Sequence, residues 1–186
     1  WGYSGTPAPS IFGALPVHAN FLPTRPSEFV AYHIVGLNPN VLNASVVGPS
    51  PHSHTAFRII TDPAQPMRTI WRDSHRRTVA IADWEGHAIV EMPGLFPRQP
   101  LRNWLRLSSD RSSRYMNVRG VQYIWAPVDQ YICLYYTQSG MSHILARVSA
   151  LSTSISIELT QQAIQYGLLE VCILSASVFL SGQSID

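Results

Sequence analysis

The sequence predicts a mostly β fold, namely a closed or nearly closed antiparallel β-barrel of about ten strands around a buried hydrophobic C-terminal helix. Two observations predict it. From Glu28 onward, short runs of β-branched and aromatic residues are separated by Gly, Pro, Asn, Asp and Ser, the pattern of strands joined by tight turns. Near the C-terminus, residues 161–180 contain no proline and are apolar for most of their length, which predicts a helix.

Length and proline content divide the chain into two parts. A chain of 186 residues fits one domain, whose core is large enough to fold without a disulfide or a metal. The five prolines within residues 1–27 disfavour helix and central strand alike. We therefore expect an extended N-terminal arm over 1–27 and a single β-barrel domain over 28–186. The first residues show no secretory signal pattern, which favours an intracellular protein and leaves a secreted one open.

Strands are predicted wherever an apolar run lies between two turn signals. Asn38-Pro39-Asn40 and Glu85-Gly86 are such signals, and the second indicates a hairpin. Residues 99–107 fit either a short helix or an irregular strand, and both interpretations stay open. The strands are expected at residues 29–35, 41–47, 56–61, 67–72, 78–84, 87–91, 115–118, 121–125, 131–137, 143–148 and 154–159.

The predicted helix covers residues 160–181, with Thr160 as N-cap and Gly182 as its stop. From residue 167 to 180 it is apolar nearly all the way round, so it must be covered by protein or by lipid. Glu170 together with Ser175 and Ser177 disfavours a lipid-facing span, because a carboxylate inside a bilayer is costly. The helix should therefore lie inside the sheet. The residues expected to be buried are Leu168, Val171, Cys172, Ser175 and Phe179.

Two further pairs of residues are assigned to the core. Tyr123 and Trp125 are two apart, so they share one face of a strand, and their apolar area predicts that this face is the inner one. Cys133 and Cys172 lie in apolar surroundings, which is typical of small buried hydrophobic residues. A disulfide between them stays open.

An ordered series of segments resembles a domain family of unknown function from mushrooms (basidiomycetes), itself similar to the Tubby C-terminal, phospholipid scramblase and LURP-one fold group. The resemblance spans roughly residues 28–186 and implies a closed antiparallel barrel around a hydrophobic C-terminal helix. Tubby domains bind phosphoinositides through lysine-containing sites, and this chain has no lysine, so no binding residue is carried over. The matching segments are Phe57-Arg58 to Thr61-Asp62, Trp104-Leu105 to Ser112-Ser113-Arg114, Gly120-x-x-Tyr123-x-Trp125, and Glu158-Leu159-Thr160 to Gly167-Leu168-Leu169-Glu170.

The basic residues of the chain are all arginines, thirteen in number. The absence of lysine excludes lysine Schiff-base chemistry and the usual P-loop. Codon usage explains an all-arginine chain, and so does a need for forked contacts to phosphate or carboxylate. A net charge of +2 is too small to indicate nucleic-acid binding.

Six arginines lie between residues 98 and 119 with one acid, Asp110, among them. Trp104 and Tyr115 could stack on a ligand or anchor at an interface. The cluster predicts a site for acidic lipid headgroups or another polyanion. The alternative is a solvated segment whose arginines pair with carboxylates elsewhere, such as Asp129 or Glu158. The predicted site residues are Arg98, Arg102, Arg106, Arg111, Arg114 and Arg119.

Two other constellations are weaker. His52 and His54 could share one face of a strand, but a zinc site needs two more ligands. Asp83, Glu85 and Glu91 could act as paired carboxylates in glycoside hydrolysis, yet they flank a hairpin signal, where acids are common. We therefore expect no metal site, no catalytic residues and no cofactor.

Three functions fit these observations. The first is a non-enzymatic binding protein that recognises an anionic lipid surface or another polyanion through the arginines. The second is a structural or self-assembling protein without a small ligand. A homo-oligomer stays open. The third is an enzyme of a type that the sequence does not reveal.

Overall fold

A computed structural model of the protein describes residues 29–49, 54–138 and 141–186. The arm predicted over 1–27 lies outside these residues, as does His52. The described part contains three short helices, α1 (Leu101–Trp104), α2 (Gln161–Gln165) and α3 (Leu169–Phe179). Its strands are β1 (Phe29–Val35), β2 (Ala44–Val47), β3 (Thr55–Thr61), β4 (Arg68–Asp73), β5 (Thr78–Asp83), β6 (Ile89–Met92), β7 (Phe96–Pro100), β8 (Arg106–Leu107), β9 (Arg114–Val118), β10 (Val121–Val128), β11 (Tyr131–Gln138), β12 (Met141–Ala150) and β13 (Ile155–Thr160).

All of these strands belong to one antiparallel sheet, so the prediction of a mostly β antiparallel fold is confirmed. The spatial order is β7-β6-β5-β4-β3-β2-β1-β13-β12-β11-β10-β9-β8. Nearly every pair is a hairpin between consecutive strands. The exception joins β1 to β13, where Phe29 lies opposite Thr160 and Tyr32 opposite Ile157. This pairing unites the first and second halves of the chain into one sheet.

The two edge strands, β7 and β8, show where the barrel prediction needs correction. No ladder joins them among the described residues, so hydrogen bonds do not close the sheet. Instead the chain passes from β7 to β8 through α1, whose Leu101 and Trp104 are buried. Pro97 and Pro100 in β7 have no N–H to donate, and β8 has only two residues. The two edge strands therefore expose few backbone groups that could pair with another strand.

Strand number and boundaries also differ from the prediction. Residues 29–49, 54–138 and 141–186 form thirteen strands where about ten were expected, because the undecided residues 99–107 contain the end of β7, all of α1 and β8. The strand predicted at 41–47 begins only at Ala44. Asn40 holds the preceding turn, since its side-chain oxygen accepts from the backbone N–H of Leu42 at 2.9 Å. Asn43 accepts in the same way from Thr61 at 3.0 Å.

The helix predicted over 160–181 is in fact two helices. Thr160 caps α2 as expected, and its Oγ1 accepts from the N–H of Ala163 at 3.1 Å. The chain then breaks at Gly167, whose φ of 70° is in the left-handed region that favours glycine. Gly182, with φ 74°, follows the end of α3. A glycine that the sequence placed inside one helix therefore ends the first of two.

Burial of α3 is confirmed, because all five side chains expected inside are buried. Both halves of the sheet contact this helix. From β4, Trp71 Nε1 donates to Ser177 Oγ at 3.3 Å. From β10, the Trp125 ring packs edge-on against Phe179 with 5.4 Å between centroids. The helix is thus held between the two halves of one sheet.

The remaining core predictions are also confirmed. Tyr123 and Trp125 are buried, whereas Gln122 between them is exposed. Cys133 and Cys172 are buried free thiols. Burial raises the pKa of Cys133 to about 11, so this thiol stays protonated at neutral pH. None of the helices in the described part of the chain has the length and hydrophobicity that a bilayer span requires.

Candidate anion-binding surfaces

The six arginines predicted as one site occupy three places in the structure. Arg98 lies on β7 and forms an ion pair with Asp83 of β5, with 2.8 Å between Nη2 and Oδ2. Arg119 lies between β9 and β10, at the end of β9 opposite to the β8–β9 turn. The other four lie near one another along the chain, on α1, β8, the β8–β9 turn and β9: Arg102, Arg106, Arg111 and Arg114.

Arg114 is buried and structural. Its Nη1 donates to the carbonyl of Leu105 at 2.8 Å, and its Nη2 contacts Asp186 Oδ2 at 2.5 Å. The hydrogen bond from Arg114 lowers the pKa of Asp186, and burial partly opposes this effect. The charges of Arg114, Arg111 and Arg102 lower it further. Asp186 therefore lies within the field of three arginines, a carboxylate that the sequence did not single out.

Arg102, Arg106 and Arg111 are exposed, and we call these three the α1–β9 face. Among the described residues none of them has a carboxylate within 4.0 Å. Arg106 lies over the ring of Tyr115, its cross-strand neighbour, at 5.7 Å. Trp104 is buried against Phe96 instead of being offered to a ligand.

The turn that carries Arg111 is held by Asp110. The carboxylate accepts from the hydroxyls of Ser108 and Ser112 at 2.6 and 2.7 Å and from the N–H of Ser112 at 3.1 Å. These hydrogen bonds, led by the one from Ser108, lower the pKa of Asp110 to about 2. Arg111 has a φ of 58°. Asp110 thus stabilises the turn without forming an ion pair with Arg111.

Arg119 contacts the break between α2 and α3. Its Nη1 donates to the carbonyl of Tyr166 at 3.3 Å, a favourable place for a cation because helix C-termini carry partial negative charge. A Cβ added at Gly167 would lie 2.8 Å from the same Nη1. The glycine therefore permits this close approach. Arg119 is separated from the α1–β9 face.

A second group of arginines was missed by the sequence analysis. Arg58 on β3, Arg72 on β4 and Arg76 in the β4–β5 turn line a cavity of about 430 Å³. Spacing along the chain does not reveal this group, because 18 residues separate Arg58 from Arg76. Paired end to end as a hairpin, the strands predicted at 56–61 and 67–72 would place Arg58 opposite Ile70, on the same face of the sheet as Arg72.

The carboxylates considered for glycoside hydrolysis do not form one group. Asp83 and Glu85 line a cavity of about 620 Å³ together with Arg68 and Arg98. Asp83 pairs with both of these arginines, at 3.8 and 2.8 Å. Glu91 lines a different cavity. The cavity lined by Asp83 and Glu85 thus contains two acids and two arginines, so it is balanced in charge.

The other predicted partners are placed as follows. Glu158 pairs with Arg147 at 2.5 Å, so it does not compensate the cluster. Within residues 29–49, 54–138 and 141–186 no three His, Cys, Asp or Glu side chains are grouped as metal ligands. His54 is exposed.

Comparison with known proteins adds little. No family model matches the chain, and no curated protein matches it. A solved X-ray structure of a protein from Arabidopsis thaliana is similar over 77% of this chain and 89% of that chain, with 12% identity and a TM-score of 0.41.

Proposed function

We propose that this protein is a non-enzymatic binding protein that recognises an anionic surface, such as acidic lipid headgroups, through the α1–β9 face. One observation carries the proposal: Arg102, Arg106 and Arg111 are exposed around one hairpin and have no ion pair within 4.0 Å in the described part of the chain. Exposed arginines near an anionic membrane each contribute about 1 kcal/mol of attraction. Arg98, Arg114 and Arg119 serve the fold in this proposal.

The test is a vesicle-binding assay. Wild type should bind vesicles that contain phosphatidylserine and not vesicles of phosphatidylcholine, and binding should fall steeply with salt. The triple variant Arg102→Gln, Arg106→Gln and Arg111→Gln should weaken binding on the order of a hundredfold, with its melting temperature nearly unchanged. Arg68→Gln is the matched control, because it removes one exposed charge already paired with Asp83. Wild type that ignores phosphatidylserine would contradict the proposal.

Self-assembly through the sheet edges is the second candidate, and the edges do not favour it. Prolines interrupt β7, and β8 is two residues long. Such features protect natural sheet edges from pairing with another chain. Light scattering across a concentration series tests this candidate, and a concentration-dependent oligomer would support it.

The proposal extends to the shape of the sheet and to the place of action. We propose that the sheet encloses α3 as a nearly closed barrel, with α1 bridging the edges. The contacts of Trp71 and Trp125 with α3 from the two halves of the sheet support it, and amides of α3 should then exchange most slowly.

Acidic lipids are concentrated on the cytoplasmic leaflet, so an intracellular location fits. The resemblance to the Tubby group stays a prediction.

A further inference from the structure

The Arg58–Arg72–Arg76 group places two like charges opposite each other across a strand pair. Arg58 lies directly opposite Arg72 in the β3–β4 ladder, and both side chains are exposed. Like charges directly opposite each other destabilise a sheet. Their outer neighbours in the same row are Ser45 on β2 and Thr78 on β5, so no acid in the row offsets the repulsion.

Arg76 adds a third guanidinium beside this pair. It occupies the fourth position of the β4–β5 turn, where its N–H donates to the carbonyl of Asp73 at 2.9 Å. Its φ of 63° is a conformation that favours glycine. Arg76 thus occupies a position whose backbone conformation favours glycine over a residue with a side chain.

The carboxylate of Asp73, which also lines the cavity, is already occupied. Its Oδ2 accepts from Arg77 Nε at 2.7 Å, and its Oδ1 accepts from the N–H groups of His75 and Arg77 at 2.9 Å. Although burial acts to raise the pKa of Asp73, these hydrogen bonds and the charge of Arg77 lower it. Arg58, Arg72 and Arg76 have no ion pair within the described residues.

We propose that Arg58, Arg72 and Arg76 form a binding site for a phosphoryl group, carried by a soluble phosphate ester or by a lipid headgroup. Guanidinium forks match the oxygens of phosphate, and the hydroxyls of Thr55 and Ser74 line the same cavity as further donors. The site is separate from the α1–β9 face, and its test does not depend on that proposal.

Titration with inorganic phosphate at low salt, followed by calorimetry, tests the site. Wild type should bind phosphate, and Arg72→Gln and Arg76→Gly should each bind about tenfold more weakly. The matched control is Arg68→Gln, which removes the same charge from the same strand but takes it from a pair with Asp83. It should bind like wild type. Failure of wild type to bind phosphate, or an equal loss in the control, would overturn the proposal.

A stability measurement separates loss of the site from loss of the fold. Without phosphate, Arg72→Gln and Arg76→Gly should melt at or above the wild-type temperature, because one removes like-charge repulsion and the other relieves a left-handed residue. Phosphate should raise the melting temperature of wild type and not that of the variants. A variant that melts earlier without phosphate would assign its arginine to the fold and contradict the site.

Two further probes identify the source of the phosphoryl group. Glycerol phosphate represents a soluble ester, and phosphatidylcholine vesicles containing a phosphatidylinositol monophosphate represent a headgroup. An Arg72-dependent interaction with glycerol phosphate alone assigns the site to soluble esters. A stronger, equally Arg72-dependent interaction with the vesicles assigns it to a lipid. Either result supports the shared chemistry.

Discussion

The turns at residues 73–77 and 108–113 share a backbone design and differ in what their carboxylates bind. In both, an arginine N–H closes a β-turn, Arg76 to the carbonyl of Asp73 at 2.9 Å and Arg111 to that of Ser108 at 3.0 Å. Both arginines have positive φ. In the 73–77 turn Asp73 binds the neighbouring Arg77, whereas in the 108–113 turn the acid binds serines.

The surroundings of the two turns increase this difference. Next to the 108–113 turn, Asp186 binds Arg114 and lies in the field of Arg111. Next to the 73–77 turn, Arg58 and Arg72 face each other, with no acid in their row. Two arginines of the α1–β9 face thus lie in the field of one carboxylate, Asp186, while the row that contains Arg58 and Arg72 has no acid. Local positive charge therefore depends on where the carboxylates are placed in space.

The largest loss of stability is expected from a substitution in the hydrophobic core. Trp125→Ala should reduce the free energy of unfolding by about 3–5 kcal/mol, because it removes a fully buried ring packed on α3. Urea unfolding measures the loss. A loss below about 1 kcal/mol would contradict the contact between β10 and α3.

A smaller effect separates the arginines that hold the fold from those that do not. Arg114→Gln should destabilise the protein by about 2 kcal/mol, because it removes charged hydrogen bonds to Leu105 and Asp186. Arg72→Gln should cause no measurable decrease in the free energy of unfolding. Chemical unfolding of both variants checks the contrast, and equal losses would contradict it.

Glycine at the two turn arginines gives a sharper comparison. Arg76→Gly and Arg111→Gly should each stabilise the fold by about 0.5 kcal/mol, as relief of positive φ outweighs the added freedom of the unfolded chain. The binding effects should differ: Arg76→Gly weakens binding of inorganic phosphate, and Arg111→Gly weakens binding to phosphatidylserine vesicles. Loss of both activities in both variants would merge the two surfaces into one.

The smallest effect concerns the pH dependence of the 108–113 turn. Because the folded pKa of Asp110 is about 2, below the value of about 3.9 for a free aspartate, its contribution to stability is full above pH about 4. It is lost as the pH falls through about 2. The stabilities of wild type and Asp110→Asn, from urea melts at several pH values, should therefore converge in acid. A difference that does not vary with pH would contradict the hydrogen bonds of Asp110.

Local sequence signals determined most of the elements. Strands β1 and β5 follow the predicted runs closely, and Thr160 caps a helix where the sequence placed a cap. The apolar run near the C-terminus required burial, and α3 is buried. Such signals work because hydrogen bonding, capping and burial patterns act between residues a few positions apart. The break at Gly167 was missed, because a glycine within an apolar run also occurs inside helices.

Only the tertiary structure decided which arginines share a surface. Strand register placed Arg58 opposite Arg72, and packing buried Arg114 against Asp186, 72 residues away along the chain. Among the described residues it also left β7 and β8 unpaired as the two edge strands, where the sequence predicted a closed or nearly closed barrel. The physical reason is that Coulomb interactions depend on distance in space and on burial. Neither quantity can be taken from spacing along the chain until the strands are paired.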